Sequence, residues 1–291
     1  SNTYRISIMW AAAGEISEPG TNQLSDHQLI IGHELGHNLG LWHANSLECG
    51  ANVVLHGDNC FNIEKGNLFD IVGRSADRVY HHNALHKDAL QWFDASSILS
   101  ISQSGRYTIN PLEGSSGTRA AKIQLPGASR PSFYLEYRRA VGFDIGLFYN
   151  QHLSTNQNGI MVNTNYYRVV DGTPTRGSLL LDMSPRETDW SFAGPGCANY
   201  DCYEVTLNGN NVFEDNIRRI SIGPVIGTDS NRIVFDVAIY GPAVPVINAE
   251  PSSISRFLQP RGVSLYGLIV TNDGDTGTTW SVSDNAAWLY V

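Results

Sequence analysis

From Tyr4 to Trp10 apolar and polar residues alternate, with Tyr4, Ile6, Ile8 and Trp10 on one face and Arg5, Ser7 and Met9 on the other. That period of two predicts a strand. Residues 11–24, with Gly14, Pro19 and Gly20, read as a loop. Ser25-Asp26-His27-Gln28 fits a capping box. Beyond it Ile31, Leu35 and Leu39 recur at helical spacing, which predicts a helix to about Leu39 with this stripe in the core. Gly32 and Gly36 weaken a helix intrinsically, so their presence predicts close packing there. Residues 44–66 show no period and read as a long irregular segment. Leu85, Ala89, Trp92 and Phe93 form a second helical core stripe. From Ile98 the period returns to two, over 106–110, 120–125, 132–138, 159–162, 179–182, 203–207, 217–222 and 232–240. Short strands separated by Gly, Pro and Asn clusters predict a β-sandwich or jelly roll. After the linker Gly241-Pro242-Ala243-Val244-Pro245, two more strands flank Asn272-Asp273-Gly274-Asp275.

The first helix carries the chemistry. His33-Glu34-Leu35-Gly36-His37-Asn38-Leu39-Gly40-Leu41-Trp42-His43 reads H-E-x-x-H-x-x-G-x-x-H. Residues four apart share a helix face, so His33 and His37 can reach one metal ion. Glu34, one step round, can reach a water on that ion and act as a general base. A third ligand needs the chain to turn back, and Gly40 is the residue type that permits a left-handed turn at a helix end. His43 then completes a three-histidine set that leaves one zinc position open, the catalytic arrangement. A merely packed histidine helix explains the histidines less well, and a non-catalytic metal site has no use for Glu34.

Other candidates are weaker. His56 and Asp58 suit a solvated loop better than a metal site. His82 and His86 are four apart, but no Glu follows His82 and no third ligand is spaced to join them, so a solvated or capping role is expected. Glu136 and Arg138 share a sheet face and read as structural. Asp273-Gly274-Asp275 offers oxygens to calcium, although turn chemistry alone accounts for it.

Charged residues make up only 16% of the chain and the net charge is −9 without a basic stripe, which argues against nucleic acid and anionic membranes as partners. No apolar run approaches the ~20 residues of a membrane span. The chain starts at Ser1 without a signal peptide and stops within a strand-like run, as a fragment or processed product would. Four cysteines allow three pairings, and proximity favours Cys49–Cys60 and Cys197–Cys202, with free buried thiols as the alternative. Paired cysteines fit an oxidising compartment.

The extended histidine motif resembles the signature of the metzincin metallopeptidases. Asp70-Ile71-Val72-Gly73 is similar to the D-x-M-G turn of the gametolysin-like branch, and Asn83, Lys87 and Trp92 match the N-x-x-x-K-x-x-x-x-W flavour of the helix after it. The likeness spans roughly His33 to Trp92. It implies a turn flooring the zinc site, with Val72 where the family has Met, and Asp70 placed either to orient a zinc-binding His or to bond its own turn. Arg74 does not match subfamilies with an extra Tyr ligand. Segment 133–144 looks like the stretch that follows the catalytic domain in secreted bacterial metallopeptidases, and Trp280 and Trp288 are similar to those of bacterial immunoglobulin-like modules.

The expectation is therefore an α+β chain: a partial metzincin-like catalytic domain (1–97), an antiparallel β-sandwich or jelly-roll domain (98–241) and a truncated immunoglobulin-like module (248–291). Its expected activity is that of a secreted zinc endopeptidase acting on a protein or peptide, such as an extracellular-matrix or cell-wall protein. About 25 residues precede the active-site helix, room for one or two strands, so residues 1–291 alone are expected to bind zinc but cleave poorly. The rival reading is a weak or inactive protease remnant in an extracellular binding or adhesion protein.

Overall fold

The computed structural model describes residues 23–54, 60–73, 79–124, 133–149, 154–170, 173–185, 205–216, 218–240, 247–250, 269–272 and 279. The expected strand 4–10, His56, Asp58, Arg74, the pair Cys197 and Cys202, the turn 273–275, Trp280 and Trp288 lie outside them.

Helix α1 (Gln23–Asn38) begins two residues before the expected capping box and ends one residue before Leu39. Its expected core stripe is not buried: Ile31, Leu35 and Leu39 are 44%, 48% and 49% exposed. The helix packs instead through the opposite face, where Gly32, His33 and Gly36 meet the turn at Ile71 and Val72. A Cβ at Gly36 would stand 2.4 Å from Val72 Cγ1, and one at Gly32 2.2 Å from Ile71 Cδ1. Side-chain-free positions let the helix backbone approach the turn more closely than the leucine face could.

The segment expected to be irregular holds two strands. Strand β1 (Ala44–Glu48) pairs antiparallel with β2 (Phe61–Ile63), and the Cys49–Cys60 disulfide closes the loop between them. Strand β1 is mostly buried despite its polar sequence, so no apolar period marks it. Its amide side chains find partners: Asn45 Nδ2 donates to Asn62 Oδ1 at 2.8 Å and Asn45 Oδ1 accepts the Lys65 amide at 2.9 Å.

Helix α2 (Ala84–Ala89) is shorter than its sequence period suggested. Asn83 caps it, accepting the His86 amide at 2.9 Å. At the other end Gln91 adopts φ 59°, and the bonds Gln91 N–H to Asp88 O and Trp92 N–H to Lys87 O close the helix. Trp92 is consequently 52% exposed rather than core.

The rest is sheet-rich. Strands β3 (Ile98–Ile101), β4 (Gly105–Ile109), β5 (Ala120–Ile123), β6 (Phe133–Tyr137), β7 (Ile160–Val170), β8 (Thr173–Leu181), β9 (Phe213–Asp215), β10 (Ile220–Thr228) and β11 (Ile233–Ile239) build two layers with β1 and β2. One sheet has the order β2-β1-β8-β7-β6-β5-β3 and the other β4-β11-β10-β9. The first is mixed rather than wholly antiparallel, because β1–β8 and β3–β5 run parallel. Hydrophobic period does not encode strand polarity; the path of the connections does. Residues on both sides of position 97 share this sheet, since Ala44–Leu47 pair with Ser178–Leu181. Among the described residues of 203–207, only Leu207 bridges, to Ile160. Strands β12 (Ile247–Glu250) and β13 (Ile269–Asn272) form a separate antiparallel pair.

Alternation along β6 explains the layering. Phe133, Leu135 and Tyr137 point into the core between the sheets, with Ile109, Val162, Ile222 and Phe235. Each such buried side chain contributes about 1.5–3 kcal/mol. Tyr134 and Glu136 point the other way, toward α2 and the 67–73 turn. There Arg138, fully buried, meets Glu113, Glu136 and Asp144 in ion pairs and donates to the Phe69 and His81 carbonyls at 2.9 and 3.4 Å. This network ties the sheet to the turn beneath α1.

Candidate metal centre

His33, His37 and His43 converge, with one ring nitrogen from each within 4.8 Å of the others. Three local features bring them together. Helix periodicity stacks His33 on His37, and their ring centroids are 4.8 Å apart. The helix stops in a Schellman motif: Leu41 N–H donates to Gly36 O and Gly40 N–H to His37 O. Gly40 sits at φ 92°, where an L side chain is strained. The reversed chain then delivers His43 just before β1, with its ring centroid 5.2 Å from His33 and 4.7 Å from His37.

Hydrogen bonds set the tautomers. His33 Nδ1 donates to the Ile71 carbonyl at 2.9 Å, and His37 Nδ1 donates to the Leu41 carbonyl at 3.0 Å. His43 Nδ1 donates to Glu64 Oε1 at 2.9 Å. Oxygens of this kind can only accept, so each Nδ1 carries the proton and each Nε2 keeps its lone pair. That leaves Nε2 as the donor each ring offers to an ion. Burial lowers the pKa of His33 and His43, more than the Ile71 carbonyl and the Glu64 carboxylate raise it. The neutral, ligating form is thereby favoured. Ligands about 2.1 Å from one tetrahedral zinc stand about 3.4 Å apart, so ring nitrogens within 4.8 Å of one another would close by up to about 1.4 Å on binding it. The residues fit a three-imidazole zinc site. Glu34, next to His33 on the helix, is half-buried.

The 70–73 turn packs against α1 at Gly32 and Gly36 and accepts the His33 hydrogen bond. Val72 is fully buried against Ala44 and Ile71, and its carbonyl accepts the Ala44 amide at 3.1 Å. Gly73 is tightly placed: a Cβ there would stand 1.9 Å from the Asn67 carbonyl oxygen. Backbone cannot yield as a side-chain tip can. Gly73→Ala is therefore expected to lower stability by about 1–3 kcal/mol or more and to weaken zinc binding, read by denaturant titration and metal competition.

Asp70 bonds its own turn, one of the two roles the sequence left open for it. Its Oδ1 accepts the Val72 amide at 2.9 Å and its Oδ2 the Asn83 amide at 2.7 Å. His82 Nδ1 lies 3.3 Å from Oδ1 and His86 Nδ1 3.0 Å from Oδ2. His82 and His86 are buried, not solvated. Their third partner comes from the turn, twelve and sixteen residues upstream, which no local spacing reveals. This buried group could also hold a metal ion. Glu64 was likewise invisible in the sequence, because it reaches His43 only through the β1–β2 pairing.

His81 stands beside this layer, with Nδ1 3.5 Å from Lys87 Nζ and its ring against Phe143. Burial, then the Lys87 charge, lower its pKa from 6.5 to about 4. Between those values the unfolded chain takes up a proton that the folded chain refuses. Stability present above pH 6.5 should fall by about 1.4 kcal/mol for each pH unit as the pH drops toward 4. Melting curves of His81→Gln should lack that portion of the slope.

No protein-family model, no curated protein and no solved structure matches this chain.

Proposed function

We propose that the chain is a zinc-dependent peptidase of the metzincin type, acting outside the cell on a protein or peptide. The observation that carries this reading is the convergence of His33, His37 and His43 with every Nδ1 tied to an oxygen, beside a Glu that such a site needs only for proton transfer. Zinc, when bound, supplies Lewis acidity for hydrolysis. The chain's own residues do the rest. The three imidazoles hold and orient the ion. Ile71 O, Leu41 O and Glu64 hold the imidazoles. Glu34 takes the proton of the attacking water and returns it to the leaving amine. Val72 keeps the floor of the site apolar and dry.

The Cys49–Cys60 disulfide and the absence, among the described residues, of a helix long and apolar enough to cross a membrane are compatible with secretion. The β-rich layers suit a scaffold that presents the site. Zinc content and peptide cleavage, measured in the full-length protein and its Glu34→Ala twin, test the reading. Full zinc occupancy without cleavage in either would shift the weight to a binding or adhesion protein carrying a protease remnant.

A further inference from the structure

Resting on the zinc reading above, we infer that the Cys49–Cys60 disulfide is a redox control on the three-histidine site: closed, it keeps Glu64 on His43 and zinc tightly held, and opening it loosens both. Glu64 Oε1 accepts from His43 Nδ1 at 2.9 Å, yet the Glu64 side chain is 53% exposed. An exposed pair of this kind fixes its own geometry only weakly, so the backbone has to bring Glu64 into place. That backbone is β2, which has little to hold it. It is three residues long, with side chains exposed or half-buried. Among the described residues it stands at the end of its sheet and pairs with β1 alone.

The disulfide sits where it can anchor that strand. Strand β1 is fixed on its other side by parallel pairing with β8. Cys49 follows it directly, with the Gly50 amide tied back to Glu48 Oε1 at 2.8 Å. Cys60 immediately precedes Phe61, which pairs with Glu48. The bond therefore pins the entry of β2 to the fixed strand, at a sequence separation of 11. The exit of β2 has its own ties, from the Lys65 amide to Asn45 Oδ1 at 2.9 Å and from the Gly66 amide to Ile63 O at 3.0 Å. Glu64 lies between the two anchors. With the entry free, a three-residue pairing at a sheet edge must hold the register, and so short a strand frays. Cys49 is 5% exposed and Cys60 is half-buried, so a reductant reaches the bond from the edge-strand side. Opening takes two electrons: the S–S bond breaks and two thiols form, while a dithiol becomes its disulfide or a phosphine, with water, its oxide. A chain not yet oxidised thus holds zinc weakly, and oxidation outside the cell completes the site.

The test is zinc affinity by chelator competition on the full-length protein. Glu64→Gln should weaken binding about 10–100-fold, the range for losing a group that orients a metal ligand. Cys49→Ser/Cys60→Ser, which brings no thiolate of its own to zinc, should weaken it by a similar factor. The combined variant should lose little more, because both changes release the same contact. Phosphine reduction should reproduce the loss in the wild type and add nothing in Cys49→Ser/Cys60→Ser, which separates this bond from Cys197 and Cys202. Should the serine pair fail to fold, zinc release from the folded, loaded wild type decides. Release that quickens on phosphine reduction while circular dichroism holds supports the control, and an unaltered rate overturns it. Tight binding that survives loss of the disulfide, or losses that multiply in the combined variant, would overturn the control and leave the zinc reading standing. An oxidised wild type without zinc affinity would sink both.

Discussion

Replacing Glu34 with Ala should lower peptide hydrolysis about 10²–10⁴-fold, the range of a positioned general base, while zinc content stays at the wild-type level. The two halves of that result come from different residues. On the proposed reading, zinc retention would depend on His33, His37 and His43, whose Nδ1 atoms are held by Ile71, Leu41 and Glu64. Proton transfer would depend on the Glu34 carboxylate on the same helix, one residue along from His33. The measurement is the cleavage rate of the parent and the variant at matched zinc, in the full-length protein. A variant that loses zinc together with activity would mean that Glu34 shapes the site rather than serving it. A variant that keeps both would remove the peptidase reading. Glu34→Gln gives a sharper version, since it preserves size and polarity and removes only the ability to accept the water proton.

Arg138→Leu should cost about 3–5 kcal/mol, enough to unfold a chain of ordinary marginal stability. Arg138 is the largest fully buried side chain among the described residues. Its guanidinium faces three carboxyl groups and two backbone carbonyls. Its attraction for Asp144 offsets the cost of burial and holds that carboxyl below the ordinary range. Burial raises the Glu113 carboxyl well above its ordinary pKa, and the adjoining Asp144 adds to the effect. Removing the guanidinium leaves a cluster of acids without their counter-charge and two carbonyls without a donor. The loss should be read as a lower midpoint in chemical denaturation. A change below about 1 kcal/mol would show that the acids can relax by taking up protons. Because Arg138 also holds the Phe69 carbonyl, zinc affinity should fall with stability, through the turn that follows Phe69.

The strands of the sandwich were readable because burial on one face imposes a period of two, and β4, β5, β6 and β11 fall within a few residues of the expected segments. Strand β1 was not, because it buries Asn45 and Ser46, and the Asn45 side chain is satisfied by Asn62 and the Lys65 amide rather than by apolar packing. The leucine stripe of α1 misled for the opposite reason. Apolar spacing reports which face would bury most area, whereas Gly32 and Gly36 mark where backbones come closest, and here the glycine face packs.

By itself the sequence determined the first histidine set: helical spacing aligns His33 with His37, and Gly40 turns the chain to deliver His43. Those are constraints within eleven residues, set by backbone geometry alone. It also favoured the Cys49–Cys60 pairing, through short-loop proximity, and the structure forms that disulfide. Only the tertiary structure decided what stands behind those histidines. Glu64 arrives through strand pairing, the Ile71 carbonyl through packing of a turn under a helix, and Asp70 meets His82 and His86 because Arg138 and the sheet hold that turn in place. Such contacts join residues that share no period and no spacing, so burial and charge balance, rather than pattern, select them.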